Sequence, residues 1–229
     1  MKIISYNISL SNPQKIKQLL DYNADVYVIP EIAGEEEQFL PPDFEMKWKG
    51  INFEKPFMGT KSKGLGIIWR RGYGKVPDWY DESLTYAIPL IYDGVLILGF
   101  WPTQNDKCKS YTKIARQIID KYSPYIAAAE KCIITGDFNL YHKPNAPNKA
   151  ADIIEIDSLL HNYKFKSIYH ELRGEAFGYE TKKTFYMQFK EDNPFFLDYT
   201  YSNLPVKDYD FIKSPIEKFS DHIGQVIEL

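Results

Sequence analysis

The sequence contains little cysteine. Cys108 and Cys132 are the only two in 229 residues, and neither belongs to a CxxC pair. Two such residues do not make a disulfide framework, so we expect two free thiols in a reducing compartment. The opening MKIISYNI predicts a strand that begins at once and not a signal peptide. Together these features favour a cytoplasmic location.

Long apolar runs and an excess of basic residues are also missing. No stretch approaches the length that spans a bilayer, so we expect no membrane partner. Lys and Arg number 28 against 31 Asp and Glu, which leaves a net charge of -3. A protein that binds duplex nucleic acid by counterion release usually carries more positive charge. The balance argues against a pure nucleic-acid binder but allows an enzyme that recruits a divalent cation. The most basic group, interpreted as a solvated face, is Lys61, Lys63, Arg70 and Arg71.

Aromatic residues are plentiful, at 16% of the chain, which is typical of a thick core or of a ring-lined cleft. Short β-branched and apolar runs predict strands at residues 2–6, 26–29, 65–70, 95–101, 132–135, 184–188, 195–201 and 223–229. Helices are predicted after Asn12, over 110–130 with an interruption at Pro124, and over 150–163, with a loop at 34–43. Because no repeat or Gly/Ser-rich linker divides the chain, residues 1–229 are expected to form one α/β domain of two packed sheets with helices outside.

Polar residues suited to metal binding or acid–base catalysis come at the ends of these strands. They are Asn7, Glu31, Asp137, Asn139, Asp221 and His222, and Asp198 lies inside the aromatic strand PFFLDYTY. Asn and Asp at strand ends also form ordinary turns, which explains any one of them alone. Asp198 resists that explanation, because a lone carboxylate in an apolar strand is costly. As a set they bring the oxygen ligands that Mg²⁺ prefers toward one cleft.

Five motifs follow one another along the chain: SYN, PE, GDFN, LDYTY and SDH. In this order, from residue 6 to residue 222, they resemble the endonuclease/exonuclease/phosphatase superfamily, which includes DNase I-like enzymes. Residues 63–67 (KGLGI) and 183–186 (KTFY) are similar to its Gly-rich central strand and its Thr-aromatic step. The resemblance implies a four-layered α/β sandwich, with two central, mostly antiparallel sheets flanked by helices and a site at the strand ends.

The resemblance also implies a divalent metal, Mg²⁺ or Mn²⁺. Glu31 is the implied principal ligand, with Asn7 beside it and Asp221 as a further acidic ligand or supporting group. Such an ion offsets the negative charge of a phosphodiester, which otherwise repels an attacking hydroxide.

The same resemblance implies roles for the remaining motif residues. Asp137 would position or activate the attacking water, and Asn139 would orient that water or the phosphate. His222 would contact the scissile phosphate, held in orientation by Asp198. A carboxylate that accepts a hydrogen bond from His222 fixes its tautomer and favours its charged form.

One position departs from the family pattern. Many members carry a second His, or a Tyr, at the end of the strand that here reads LILGFWP, where this chain has Phe100 or Trp101. Gln104, Asn105 and His170 are possible replacements, and His170 is equally well explained as an ordinary loop histidine. Trp101 and Tyr186 are further possible substrate contacts.

Three functions remain open from the sequence. The first is a metal-dependent phosphodiesterase or nuclease acting on DNA or RNA. The second keeps the fold but acts as a phosphomonoesterase or small-molecule phosphodiesterase, which the acidic composition and the lack of DNA-gripping insertions favour. The third is a non-catalytic binding module that has kept the fold. We expect a monomer in each case.

Overall fold

In the computed structural model, two mixed six-stranded sheets are flanked by helices. The structure describes residues 1–57, 59–84, 86–105, 107–212 and 219–229. In chain order, the strands are β1 (Lys2–Ser5), β2 (Val26–Ile32), β3 (Phe44–Phe57), β4 (Thr60–Arg70), β5 (Gly74–Lys75), β6 (Ala87–Tyr92), β7 (Val95–Phe100), β8 (Cys132–Asp137), β9 (Lys166–Ser167), β10 (Asp198–Ser202), β11 (Asp208–Ile212) and β12 (Gly224–Glu228). The helices are α1 (Pro13–Leu20), α2 (Tyr111–Ala128), α3 (Ile153–Asn162) and α4 (Ile168–Arg173), and short 3₁₀ segments span Gly34–Phe39 and Met187–Phe189.

The strand order defines both sheets. The first has the order β11-β12-β1-β2-β4-β3 and the second β5-β6-β7-β8-β10-β9. The pairs β1–β2 and β7–β8 are parallel, and the other neighbouring pairs are antiparallel. The prediction of an α/β sandwich with two mostly antiparallel sheets is therefore confirmed.

Alternation along β2 shows how the layers are built. Val26 and Val28 point into the larger apolar cluster, which the first sheet shares with the second. Tyr27 points the other way, into a smaller cluster with Ile16 and Leu19 of α1. Because successive strand residues face opposite sides, one strand serves both cores. The apolar sides of α2 and α3 join the larger cluster, so the helices form the outer layers.

Helix boundaries follow local chemistry. The side chain of Asn12 caps α1 by accepting a hydrogen bond from Lys15 N at 3.0 Å, and Pro13 takes the first helical position, as predicted. The predicted interruption at Pro124 is wrong, since α2 continues through it. A proline lacks the N–H that would bond the carbonyl four residues earlier, and here the Ser123 hydroxyl donates to Asp120 O at 2.8 Å instead.

Other local expectations are also corrected. The strand predicted at 184–188 is replaced by isolated bridges of Phe185 and a 3₁₀ segment, in which Gln188 has a φ of +54° that an extended strand does not allow. The predicted loop at 34–43 contains the 3₁₀ segment Gly34–Phe39. Strands β3, β5, β6, β9 and β11 and helix α4 were not predicted.

Two further features bear on the sequence expectations. Cys108 and Cys132 are free thiols. Within the described ranges, no helix combines the length and the apolar character needed to cross a membrane.

Candidate active site

The ends of five strands meet at one edge of the sandwich. Asn7 follows β1, and Glu31 lies near the end of its parallel neighbour β2. Asp137 ends β8, and Asp198 begins the antiparallel β10 directly opposite it in register. His222, just before β12, completes the group. Strand pairing within each sheet, and the packing of the two sheets on each other, thus bring together side chains that are far apart in the sequence.

A β-bulge presents Glu31. The register of β2 with β4 shifts between Pro30 and Ile32, and Glu31 has a φ of +64°. Such a bulge re-aims the side chain of the extra residue. The Glu31 carboxylate lies 3.5 Å from Asn7 Nδ2 and 3.1 Å from Lys63 Nζ, and its side chain is 21% exposed. Glu31 therefore belongs to the open part of the site.

Asp137 is buried and accepts three hydrogen bonds. Asn7 Nδ2 donates to its Oδ2 at 2.9 Å, while the backbone N and Nδ2 of Asn139 donate to Oδ1 at 2.9 Å and Oδ2 at 3.2 Å. Asn139 has a φ of +53°, which Asn tolerates better than most residues. At Gly136, a Cβ would lie 1.9 Å from Phe100 O, so only glycine fits there. The GDFN motif is therefore shaped to hold the Asp137 carboxylate.

His222 is fixed on two sides. Its Nδ1 lies 2.9 Å from Asp198 Oδ2, and its Nε2 lies 4.0 Å from Asp137 Oδ2. Its backbone N donates to Ser220 Oγ at 3.0 Å, and that hydroxyl donates to Asn7 O at 2.6 Å. Ser220 was not among the predicted site residues. Its two hydrogen bonds tie the His222 segment to the Asn7 segment.

The Asp198 segment is anchored by Thr184. The Thr184 hydroxyl oxygen accepts hydrogen bonds from Leu197 N at 2.9 Å and Asp198 N at 3.1 Å. The neighbouring Phe185 ring lies 4.6 Å from the His222 ring. The KTFY segment therefore supports the Asp198–His222 pair although it does not form a regular strand.

Burial and neighbouring charges shift the pKa values of this cluster. Burial raises the pKa of Asp137 to about 7, with Asp198 adding to the shift and His222 opposing it. Burial alone would lower the pKa of His222, but the charges of Asp198 and Asp137 outweigh it and raise that pKa to about 9. The cluster therefore holds an imidazolium at neutral pH, beside a carboxylate able to exchange a proton there.

The donor set fits a divalent ion at Glu31. Its partly exposed carboxylate already attracts the Lys63 ammonium, and carboxylate oxygens are the ligands that Mg²⁺ and Mn²⁺ prefer. The Asn7 amide turns its nitrogen toward the Glu31 and Asp137 carboxylates, while its Oδ1 accepts from Ser9 N at 2.9 Å. In this orientation Asn7 links the two carboxylates.

A second donor group is less suited to a metal. Asp137, Asp198 and His222 each offer an atom within 4.8 Å of the others, and all three are buried. The His222–Asp198 hydrogen bond and the raised pKa of His222 keep the imidazole protonated. A protonated imidazole has no lone pair for a metal. This group is better suited to proton transfer and phosphate contact.

Lys15 is a site neighbour that the sequence analysis missed. Its Nζ donates to the carbonyl oxygens of Ile8 at 2.5 Å, Ser9 at 3.3 Å and Leu10 at 2.8 Å. Burial lowers the pKa of Lys15 to about 8, while the charges of Asp221 and Glu31 oppose this. Lys15 therefore ties down the turn after Asn7 and adds positive charge near the acidic groups. Its position as the third residue of α1 carries no sequence signal for this role.

Tyr111 is another. Burial raises the pKa of its hydroxyl, and the charges of Asp137 and Glu31 raise it further. Tyr111 begins α2. It lies ten residues after Trp101, which occupies the position where many family members carry a second His or a Tyr.

The other predicted residues divide into two groups. Trp101 is buried beneath the Lys63 ammonium, which lies 5.5 Å from its ring centre, and Gln104 lines the same cleft. Asp221 is half-buried, and its backbone carbonyl accepts from Tyr186 N at 2.7 Å. These residues lie around the site.

Asn105 and His170 serve local structure. The Asn105 side chain accepts from Lys107 N at 2.9 Å and Cys108 N at 3.0 Å, which closes a turn. His170 hydrogen-bonds with Ser167 Oγ at 2.7 Å and Glu180 Oε1 at 3.3 Å.

The stacking partners of His170 show which face of the second sheet it occupies. Its ring stacks on Phe177 at 3.8 Å and lies parallel to Tyr199 at 6.1 Å. Tyr199 follows Asp198 in β10, so the two side chains leave the sheet on opposite faces. His170 therefore lies across the sheet from the Asp198–His222 pair.

Comparison with solved structures supports this architecture. The 3'-5' exonuclease NExo from Neisseria meningitidis superposes with a TM-score of 0.73 at 15% identity, covering 100% of this chain and 99% of that one. NExo described as a 3' phosphatase bound to a product DNA hairpin gives 0.74 at 16%, with the same coverage. An AP endonuclease from Archaeoglobus fulgidus gives 0.69 at 16%, covering 99% of this chain and 98% of that one. At these identities the likeness establishes the fold.

The sequence comparisons decide the family. No curated protein sequence matches this chain significantly. A family model described as the endonuclease/exonuclease/phosphatase family matches residues 4–222, nearly the whole chain. With its sandwich fold and the clustered Glu31, Asp137, Asp198 and His222, this protein belongs to the endonuclease/exonuclease/phosphatase family.

Proposed function

We propose that this protein is a Mg²⁺- or Mn²⁺-dependent phosphodiesterase that cleaves DNA or RNA. Membership of the family supports phosphoester hydrolysis. The observation that carries the proposal is the buried Asp137–His222–Asp198 cluster directly beside the open Glu31 carboxylate. Structural relatives described as a 3'-5' exonuclease and an AP endonuclease, and one described as a 3' phosphatase bound to a product DNA hairpin, support a nucleic-acid substrate.

Charge balance is the first requirement of the reaction. A divalent ion bound at Glu31 would neutralise phosphate charge and make bound water more acidic. Lys63, at 3.1 Å from Glu31, adds positive charge at the same side of the site. Phosphate can therefore approach a cluster that carries two buried carboxylates.

Asp137 acts as the general base. Its pKa, raised by burial to about 7, matches a base that accepts a proton near neutral pH. Hydrogen bonds from Asn7 and Asn139 hold the carboxylate in one orientation, so that it aligns a water for attack on phosphorus.

His222 stabilises the charge that develops on phosphate. Its Nδ1 proton is donated to Asp198, which leaves the Nε2–H aimed toward the Asp137 side of the cluster. A preorganised cationic donor lowers the barrier because it needs no reorientation during the reaction. Asp198 acts by fixing the tautomer and the charge of His222.

A phosphomonoesterase or small-molecule phosphodiesterase is the second candidate. The net charge of -3 favours a small substrate over long duplex DNA. One structural relative is described as a 3' phosphatase, which also supports this candidate.

A substrate panel tests both. Supercoiled plasmid, single-stranded RNA, bis-p-nitrophenyl phosphate and p-nitrophenyl phosphate would each be incubated with Mg²⁺, Mn²⁺ or EDTA. We expect diester cleavage with either metal and none with EDTA. Turnover of either p-nitrophenyl ester without cleavage of the plasmid or the RNA would favour the second candidate. A protein inactive on all four substrates would contradict both, and would support a non-catalytic module.

Matched histidine variants test whether the measured activity comes from this site and not from a contaminating enzyme. His222→Ala should lose at least about 10²–10⁴-fold in kcat, the range for loss of a positioned acid or base. His161→Ala, at the exposed end of α3, should keep full activity. Equal activity of the two variants would exclude His222 from the chemistry.

A further inference from the structure

A cleft opens next to the candidate active site. It has a volume of about 620 Å³, which lies within the range of ligand pockets. One wall is the β3 end of the β3–β4 hairpin, with Ile51 and Phe53, and the other is the loop after β7, with Trp101 and Gln104. Lys63 lines the cleft as well.

Lys63 connects the cleft to the candidate active site. Its ammonium lies 3.1 Å from Glu31 Oε2 and 5.5 Å from the centre of the Trp101 ring. Lys63 was expected on a solvated face, but β4 directs its side chain to this junction. A ligand whose phosphate lies at Glu31 therefore has its neighbouring group directed into the cleft.

The walls favour a planar, uncharged group. Ile51 is 49% exposed and presents an apolar surface to the cleft, and Phe53 lies beside it. Trp101, held edge-on by Tyr86 at 4.8 Å, forms a rigid floor. Aromatic and aliphatic walls bind bases by stacking, a contact that tolerates any base because each has a π-face.

The rim carries hydrogen-bonding groups. The Gln104 amide is held there by its bond from Nε2 to Lys109 O at 2.7 Å, and Asn52 lies on the opposite wall. Amide side chains of this kind match the polar edges of bases. Glu54 and Lys55 also line the cleft, so with Lys63 its lining carries charges of both signs around the apolar residues.

We propose that this cleft binds the nucleobase of the nucleotide next to the scissile phosphate, with Ile51 and Phe53 contacting the base and Lys63 its phosphate. The proposal rests on the proposed function, because it assumes a phosphate at Glu31. It assigns the substrate class as a nucleotide unit in which the base is unpaired and accessible, as in a single strand or a strand end.

Binding of a matched pair of small ligands tests the cleft without turnover. Isothermal titration with adenosine 5'-monophosphate and ribose 5-phosphate would use the His222→Ala protein in Mg²⁺. We expect the nucleotide to bind about 5- to 100-fold more tightly than the sugar phosphate, the range of one base-stacking contact. Equal affinities would overturn the proposal, as would tighter binding of an inositol phosphate.

Cleft variants locate the effect. In the same background, Ile51→Ala and Phe53→Ala should weaken nucleotide binding and leave ribose 5-phosphate binding unchanged. Leu172→Ala, an equally exposed apolar residue on α4, is the control and should change neither. Ile51 is exposed, so its truncation leaves the fold intact. Variants that weaken the binding of both ligands equally would contradict a base-specific role.

The outcomes also separate this proposal from the proposed function. If the wild-type protein cleaves no phosphodiester but prefers the nucleotide 5-fold or more, the function is wrong and the cleft is correctly assigned. If it cleaves diesters but shows no preference, the cleft assignment alone is wrong.

Discussion

His222 Nδ1 lies 2.9 Å from Asp198 Oδ2, and both side chains are buried. A charged pair this deep is stable only when each partner satisfies the other, because an isolated buried charge is costly. The pair is completed by Asp137, whose Oδ2 is 4.0 Å from the second imidazole nitrogen. This geometry leads to specific expectations for substitutions and for pH.

Asp198→Asn should reduce kcat by about 10³–10⁴-fold with little change in KM. The amide cannot balance the imidazolium, and it favours the wrong tautomer, as in catalytic triads where an Asp orients a His. Steady-state kinetics on bis-p-nitrophenyl phosphate measures this. Asp208→Asn serves as the control and should behave like the wild type, because Asp208 is an exposed residue at the start of β11. A loss confined to KM would argue that Asp198 serves substrate binding instead.

The free energy of unfolding should fall as pH rises from about 6.5 to 9 in EDTA. His222 has a pKa raised to about 9 in the folded protein, so the folded state holds a proton that the unfolded chain releases near 6.5. This stabilisation is fully present below pH 6.5 and is lost as the pH rises through 9, a change on the order of 3 kcal/mol. Urea unfolding at several pH values measures it. His222→Gln should flatten this fall and His142→Gln should not; identical pH profiles would contradict the assignment.

Glu31→Gln should weaken Mn²⁺ binding by at least about 10- to 100-fold, the cost known for loss of even an indirect supporting group at a metal site. The amide keeps the shape of Glu31 but removes the negative charge that attracts Lys63 and would attract a metal ion. Titration calorimetry with Mn²⁺ measures the affinity directly. Glu171→Gln, an exposed carboxylate on α4, is the matched control. Unchanged Mn²⁺ affinity in Glu31→Gln would show that the metal ion binds at another site.

Lys15→Met should lower stability by about 1–3 kcal/mol and also reduce kcat. The substitution keeps the length of the side chain but leaves the carbonyls of Ile8, Ser9 and Leu10 without their shared donor. The turn that orients Asn7 then loosens. Lys17→Met, on the exposed face of the same helix, should leave both quantities unchanged. A loss of stability with full kcat would limit Lys15 to a structural role.

Tyr111→Phe should reduce kcat by about 10²–10³-fold, the loss that follows removal of one preorganised hydrogen-bond donor from an active site. Burial raises the pKa of this hydroxyl and the charges of Asp137 and Glu31 raise it further, so the acidic cluster lies within electrostatic reach of Tyr111. Tyr125→Phe is the control, because Tyr125 lies in the same helix but stacks on Trp79. Wild-type kinetics for Tyr111→Phe would leave the family's second His or Tyr without a replacement here.

Local sequence patterns were sufficient for much of the architecture. Strand runs ending in Asn7, Glu31 and Asp137 were recognisable because apolar β-branched residues stop where polar ones begin. Asn12 and Pro13 marked the start of α1 for a local reason, the side-chain cap and the fixed proline φ. By contrast, β6 contains Pro89, which disfavours a strand reading, yet it pairs with β5 and β7.

The sequence by itself determined the family, the order of the five motifs and the residue types that carry the chemistry, because those signals are local and short. Only the tertiary structure decided which polar groups meet. Lys63 forms an ion pair with Glu31, and Lys15 donates hydrogen bonds to the turn after Asn7. His170 lies on the face of the second sheet opposite the Asp198–His222 pair. The reason is physical: strand pairing and side-chain alternation determine which groups share a cleft, and both depend on contacts between residues that are distant in the chain.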